Sequence, residues 1–239
     1  MIRRQTHRIY FPSKISQETS LVLTREMEHY IKNVLRIKLH EKLRVFNEVD
    51  GEFLVRISLT SKKEMHVTVE SKLRERESNL PSLTLGLCMI KADRFATAID
   101  MSVQLGVTKI IPIISKYTVH RNFNIERTRR IIIEATEQSE RLFVPDILEP
   151  LMLSDIDFNS FGSIFYANEL EKDRVLKKLN IENPLIIIGP EGGFSEDELQ
   201  FLSKQTNAHS ISLGENVLRS ETACCKAISY LQFLREKHA

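Results

Sequence analysis

The chain has 239 residues, of which 42% are apolar and 28% charged, and 34 Lys and Arg stand against 32 Asp and Glu for a formal net charge of +2. That length supports a full hydrophobic core in one large domain or two smaller ones, and the composition excludes a disordered or fibrous chain. No apolar run approaches the roughly 20 residues of a membrane span, the start "MIRRQTHRIYF" lacks the apolar stretch of a secretory signal, and the three cysteines lack metal-ligand spacing, so a cytoplasmic protein with reduced thiols and no metal site is expected.

Charge is unevenly spread. Residues 1–72 carry 14 Lys and Arg against 9 Asp and Glu, a surplus of +5, and the remainder carries 20 against 23, or −3. A basic front end on a mildly acidic body fits contact with a polyanion, and an ordinary solvated surface with uneven lysines fits the same count.

In chain order, residues 1–72 read as a small β-barrel. "EMEHYIKNVLRI" has helical spacing at Met27, Tyr30, Ile31, Val34 and Leu35. Leu43 and Val45 alternate with polar residues, as do Phe53, Val55 and Ile57, and Asp50-Gly51 between the two runs signals a hairpin. "EMHVTVE" gives a further strand, and the polar stretch 71–82 reads as a linker, which divides the chain into domains 1–72 and 73–239.

Beyond the linker, strands alternate with helices. Strands are expected at "LTLGLCM", "KIIPIIS", "SIFYA", "LIII" and "HSISL", and helices at 94–105, 126–142, 170–180, 195–205 and 220–236. This alternation defines an α/β domain with a mainly parallel sheet and flanking helices. Ligands of such sheets sit beyond the carboxyl ends of the strands, so the loops after Ala167, Ile188 and Leu213 form the expected site.

The second of these loops is Gly189-Pro190-Glu191-Gly192-Gly193, which is neither GxGxxG nor GxxxxGK[ST]. Ser195 and Glu198 have capping-box spacing, and Glu196, Asp197 and Glu198 crowd the first helical turn with carboxylates. An anion is unwelcome there. Gly192 and Gly193 can instead lay bare backbone against a flat, uncharged base. "SLGENVLRSETA" repeats the strand–glycine–helix plan, with Ser220 read as the helix cap.

"IGPEGGFSEDEL" followed by "LGENVLRSETACCKAISYLQ" closely resembles the ribosomal RNA small subunit methyltransferase E family, in the SPOUT class. "RIYF", "HYIKNVLRI", "LGVTKIIPIIS" and "EATEQSERLFVP" extend the resemblance over nearly the whole chain. It implies a PUA-like β-barrel followed by a SPOUT-type α/β domain with a deep trefoil knot, a homodimer, S-adenosylmethionine as cofactor, and methylation at N3 of one uridine in 16S rRNA of the small ribosomal subunit. The chain departs from the family pattern at Met101 to Gln104, at Glu140, where the family usually has glycine, and at Leu39-His40-Glu41, which replaces Val-Gly-Asp.

On this resemblance the cofactor would contact Ala167, Asn168, Glu169, Ile188, Gly189, Pro190, Glu191, Gly192, Gly193, Leu213, Gly214, Asn216, Leu218 and Arg219. Arg219 is the candidate for stabilising the deprotonated uracil, or else a salt bridge from Arg219 to Glu191 or Glu215 joins the two loops. Glu191 or Glu221 would accept the proton, or serve only the helix dipole. Arg3, Arg4, Arg8, Arg36, Lys91, Arg94 and Arg121 are candidates for holding RNA through phosphate contacts that position without reading sequence, or else are solvated surface charges. Gln138 and Arg141, in a matching stretch, are candidates for RNA or dimer contacts, or else for ordinary helix packing. Two rival readings are a catalytically idle RNA-binding protein of the same fold, and a nucleotide-dependent enzyme on a doubly wound sheet, against which the missing phosphate fingerprints count.

Overall fold

A computed structural model describes residues 6–17, 20–60, 64–78, 80–169, 171 and 182–238. The chain forms two compact units. Met1–Leu80 and Thr136–Val144 make the first, and Pro81–Ala135 with Pro145–Ala239 make the second. The helix expected at 170–180, and Arg3 and Arg4, lie outside the described residues.

The first unit contains β1 (Arg8–Tyr10), β2 (Ser20–Val22), α1 (Arg25–His29, running into a π-helical turn at Tyr30–Val34), β3 (Lys42–Asn47), β4 (Gly51–Thr60) and β5 (Met65–Arg74). The sheet order is β1-β3-β4-β5-β2, antiparallel except where β1 joins β3. Leu43 pairs with Val55 and Val45 with Phe53, so the alternating apolar residues share one face, and all four are buried. Ile31 packs into the same core. The hairpin between β3 and β4 has a three-residue loop. Asn47 Oδ1 accepts from the amides of Val49 and Asp50 at 3.1 and 2.6 Å, and Gly51 opens β4 at φ 96°. A Cβ on Gly51 would lie 2.3 Å from the Arg74 carbonyl oxygen, so only glycine fits there.

β5 runs through Arg74, into the stretch expected as linker, because Arg74 is needed inside the fold. Glu52 is completely buried and has three guanidiniums around it, those of Arg8 at 3.0 Å, Arg44 at 3.2 Å and Arg74 at 3.3 Å. Burial lowers the Arg8 guanidinium to about 10, with Glu52 opposing the shift. Arg8 also donates to the carbonyls of Thr136 and Glu137, at 3.0 and 3.4 Å, and Arg74 donates to that of Glu140 at 2.7 Å. Arg8 is therefore a structural cation, 7% exposed and fully engaged, which corrects its expected role in RNA contact.

The helix expected over 126–142 stops earlier, as α3 (Ile125–Gln138). Glu140 then adopts φ 57° and the chain turns so that Leu142 is buried. His40 has φ 68°. At both positions the backbone takes a left-handed conformation that side chains ordinarily avoid. Glu140 has a compensation: its carboxylate meets Arg44 at 2.8 Å. That hydrogen bond, with the charge of Arg44, holds the Glu140 carboxyl below its ordinary value.

The second unit contains β6 (Thr84–Cys88), α2 (Ala92–Gln104), β7 (Lys109–Ile114), the greater part of α3, the two-residue strands β8 (Asp146–Ile147) and β9 (Leu151–Met152), β10 (Ser163–Ala167), β11 (Pro184–Ile188), α4 (Glu196–Ser203), β12 (Ala208–Ile211) and α5 (Ser220–His238). The strands are parallel in the order β12-β10-β11-β6-β7-β8, with β9 also on β7. β11 is buried throughout, consistent with a central strand covered on both sides. The five longer strands and four helices match those expected, with ends displaced by at most four residues, while β8 and β9 are too short to show any period. No described helix is long and apolar enough to cross a membrane.

The buried charge cluster and the exposed ion pairs should behave differently. Glu52→Gln leaves the buried guanidiniums of Arg8 and Arg44 underbalanced and is expected to lower the unfolding free energy by about 3–5 kcal/mol. Glu70→Gln, on a pair with the solvent-accessible Lys42 and Arg56, should lose under about 1 kcal/mol. Urea denaturation measures both. For Glu140 the folded-state pKa is depressed, so its contribution is present above the ordinary value of 4.5 and is lost as pH falls through the lowered one. The stability gap between wild type and Glu140→Gln, small because the carboxylate is 44% exposed, should accordingly be present at pH 7 and close at acid pH.

Candidate active site

Three loops leave the carboxyl ends of β10, β11 and β12, which lie side by side in the sheet. After β10, the Asn168 amide donates to the Ile211 carbonyl at 3.1 Å, tying the first loop to the end of β12. After β11, the Gly193 amide donates to the Pro190 carbonyl at 2.9 Å and Gly193 takes φ 69°. The Phe194 ring then covers Gly189, where a Cβ would stand 3.1–3.4 Å from it. After β12, Gly214 turns the chain at φ 101°.

The expected capping box is present. The Ser195 hydroxyl accepts from the Glu198 amide at 3.3 Å, and the Glu198 carboxylate accepts from the Ser195 amide at 2.8 Å. The other Glu198 oxygen accepts from the Lys116 amide at 2.7 Å, while the Lys116 ammonium pairs with Asp197 at 3.3 Å. The acidic first turn of α4 thus also anchors the loop after β7.

Ser220 does something other than expected. The Arg219 carbonyl accepts from the Ala223 amide at 2.8 Å, so Arg219 holds the cap position and Ser220 is the first helical residue. Its hydroxyl donates instead to the Gly189 carbonyl at 3.4 Å, joining the second and third loops.

Together the loops enclose a cavity of about 300 Å³. All the residues expected at the cofactor line it except Gly192, and they are joined by Arg94, Phe194, Leu199, Glu215, Val217, Ser220 and Ala223. Arg94, expected to grip RNA, reaches the cavity from the start of α2 and pairs with Glu191 at 3.6 Å. Arg219 lines the cavity, is exposed, and makes no ion pair among the described residues, so the alternative of a bridge to Glu191 or Glu215 is not found. Glu221 lies in the first turn of α5 outside the cavity lining, with Oε2 buried and unpartnered. Lys91 pairs with Asp93 at 3.5 Å. Arg36, Arg121 and Gln138 are exposed, whereas Arg141 is half-buried and its guanidinium is lowered by that burial.

The lining bears two cations, Arg94 and Arg219, against three carboxylates, Glu169, Glu191 and Glu215, a net charge of −1. A glycine-backbone cavity with that charge disfavours a polyphosphate and suits a compact ligand of net positive charge. Sequence reasoning missed Phe194, although it directly follows the glycine pair. It also missed that Arg94, far upstream, belongs here, because nothing in a linear pattern joins α2 to β11.

Family comparison defines the class. An RNA methyltransferase domain model matches residues 76–232, and an RNA methyltransferase PUA domain model matches residues 23–70. A Rickettsia conorii ribosomal RNA small subunit methyltransferase E is 41% identical over 234 residues, covering 95% of this chain and 96% of its own. The chain belongs to the ribosomal RNA small subunit methyltransferase E family. A Neisseria gonorrhoeae structure of that family, bound to S-adenosyl methionine, is 26% identical with a TM-score of 0.83, covering 96% of this chain and 98% of its own. A Legionella pneumophila structure in complex with the same cofactor is 27% identical with a TM-score of 0.85 and the same coverage.

Removing the α4 cap tests its share of loop stability. Ser195→Ala, which leaves the Glu198 amide without its side-chain acceptor, should lower the unfolding free energy by about 1 kcal/mol in urea denaturation.

Proposed function

We propose that this protein transfers a methyl group from S-adenosylmethionine to N3 of a uridine in 16S rRNA of the small ribosomal subunit. The observation that carries the reading is the three-loop cavity with its net acidic lining, together with the S-adenosyl methionine bound by the Neisseria relative. The cofactor, when bound, supplies a methyl group on a positively charged sulfur. The backbones of Gly189, Gly193 and Gly214 would border its flat base, and the three lining carboxylates favour its cationic groups.

N3 of uridine lies on the Watson–Crick edge, so the base must leave its stack to reach the cavity. N3 must also lose its proton before it has a lone pair to give. Arg219, the guanidinium in the lining without an ion pair, holds the uracil carbonyl and stabilises the negative charge left by that loss. Glu191 is the better placed of the two expected proton acceptors, since it lines the cavity and Glu221 does not. Phe194 and Leu199 help exclude water, which strengthens these electrostatic effects. The exposed Arg36, Arg121 and Gln138, with the basic first unit, would hold the RNA backbone. A carboxyl-terminal trefoil knot, a homodimer and a cytoplasmic location complete the reading by resemblance.

Small subunits from a strain lacking the gene, incubated with the protein and labelled cofactor, should gain 3-methyluridine by nucleoside mass spectrometry. No methyl gain with cofactor binding intact would instead leave a catalytically idle RNA-binding protein. Arg219→Ala should reduce kcat by about 10²-fold or more, as loss of a charge-stabilising donor does, with cofactor affinity within about threefold. Equal losses in both would make Arg219 a cofactor ligand instead.

A further inference from the structure

We infer that Tyr117 is the platform on which the unpaired target base stacks beside the cavity, an inference that rests on the proposed function. The loop after β7 is held firmly at this point. The Ser115 amide donates to Thr118 Oγ1 at 2.9 Å, the Thr118 amide returns to the Ser115 carbonyl at 3.1 Å, and Thr118 is buried. Lys116, next in the chain, is bound through both its amide and its ammonium to the first turn of α4. Between these anchors Tyr117 remains 48% exposed.

Its position is set by Gly192. A Cβ built there would stand 3.3 Å from Tyr117 Cβ, 3.7 Å from Cγ and 3.8 Å from Cδ2, so the tyrosine lies directly on the bare backbone of the glycine loop. Glu191 and Gly193, on either side, both line the cavity, and Gly192 alone of the expected cofactor residues does not. Gly192 is thereby given a different use: it admits the ring to the rim. The other aromatic residue of this loop is already committed, since Phe123 packs edge-on against Phe95 at 6.1 Å between centroids.

An exposed aromatic residue on an anchored stretch of loop, beside the site of chemistry, matches the need of a base that has left its stack, because every base has a π-face to offer. Arg121, exposed on the same loop, supplies positive charge for the flanking backbone.

The test compares Tyr117→Phe, Tyr117→Leu and Tyr117→Ala in methylation of small subunits. In parallel it measures cofactor affinity by calorimetry, and anisotropy binding of a uridine-rich single-stranded RNA in the presence of S-adenosylhomocysteine. Leucine preserves packing over Gly192 without a π-face. Leu and Ala are expected to raise KM for subunits and weaken the RNA by about tenfold, with cofactor affinity unchanged and Phe within threefold of wild type. Gly192→Ala, which crowds the ring, should move in the same direction by a smaller factor. Wild-type behaviour of Tyr117→Leu, a parallel loss of cofactor affinity, or a Phe variant as poor as Ala would each overturn the inference. A wild type that binds cofactor and fails to methylate would sink the proposed function instead, and weaker RNA binding by Tyr117→Leu would still uphold the platform.

Discussion

Parallel pairing of β10 with β11 on one edge and β12 on the other is the constraint on which the site depends. It brings three carboxyl-terminal loops, far apart in sequence, to one end of the sheet. Each loop leaves its strand at the same level, and the Asn168–Ile211 and Ser220–Gly189 hydrogen bonds then fasten the loops to one another. Glycine is required at two of these exits for its backbone, since Gly193 and Gly214 both turn in the left-handed region. The result is a cavity lined in part by glycines, with one excess negative charge. Such a cavity suits a ligand recognised by shape and modest electrostatics.

The first unit depends on a different balance. Three guanidiniums surround one completely buried carboxylate, and two of them, Arg8 and Arg74, also donate to backbone carbonyls of Thr136, Glu137 and Glu140. A cluster of this kind adds little net stability compared with apolar packing, but it is intolerant of losing any one charge. It also fixes how the segment after α3 folds back. The Glu140–Arg44 pair offsets part of the strain of a side chain at positive φ.

The carboxylates of α4 show how one local motif is used twice. Within its own helix Glu198 completes the capping box, and through its second oxygen it anchors the loop after β7. That anchoring keeps Tyr117 on the outside beside Gly192 while Phe123 turns inward to Phe95. The position of an exposed aromatic at the rim of the cavity therefore follows from a helix cap four strands away in the sequence.

Much of this protein was legible in the sequence because the signals are local. The alternation of Leu43, Val45, Phe53, Val55 and Ile57, the apolar run Leu185–Ile188 and the capping-box spacing of Ser195 and Glu198 each report neighbours within a few residues, and the structure places them as read. The three loops of the site were also identified, since ligands of such sheets sit beyond the carboxyl ends of the strands, and the cofactor residues expected on the resemblance line the cavity except Gly192. Tertiary structure decided the partners: that Arg8 is buried against Glu52, that Arg94 reaches Glu191, that Ser220 serves Gly189 rather than its helix, and that Gly192 faces Tyr117. A charged or hydroxyl side chain carries the same pattern in sequence whether it meets solvent or another loop. Only the folding of distant segments against one another sets what lies within 3 to 4 Å of it.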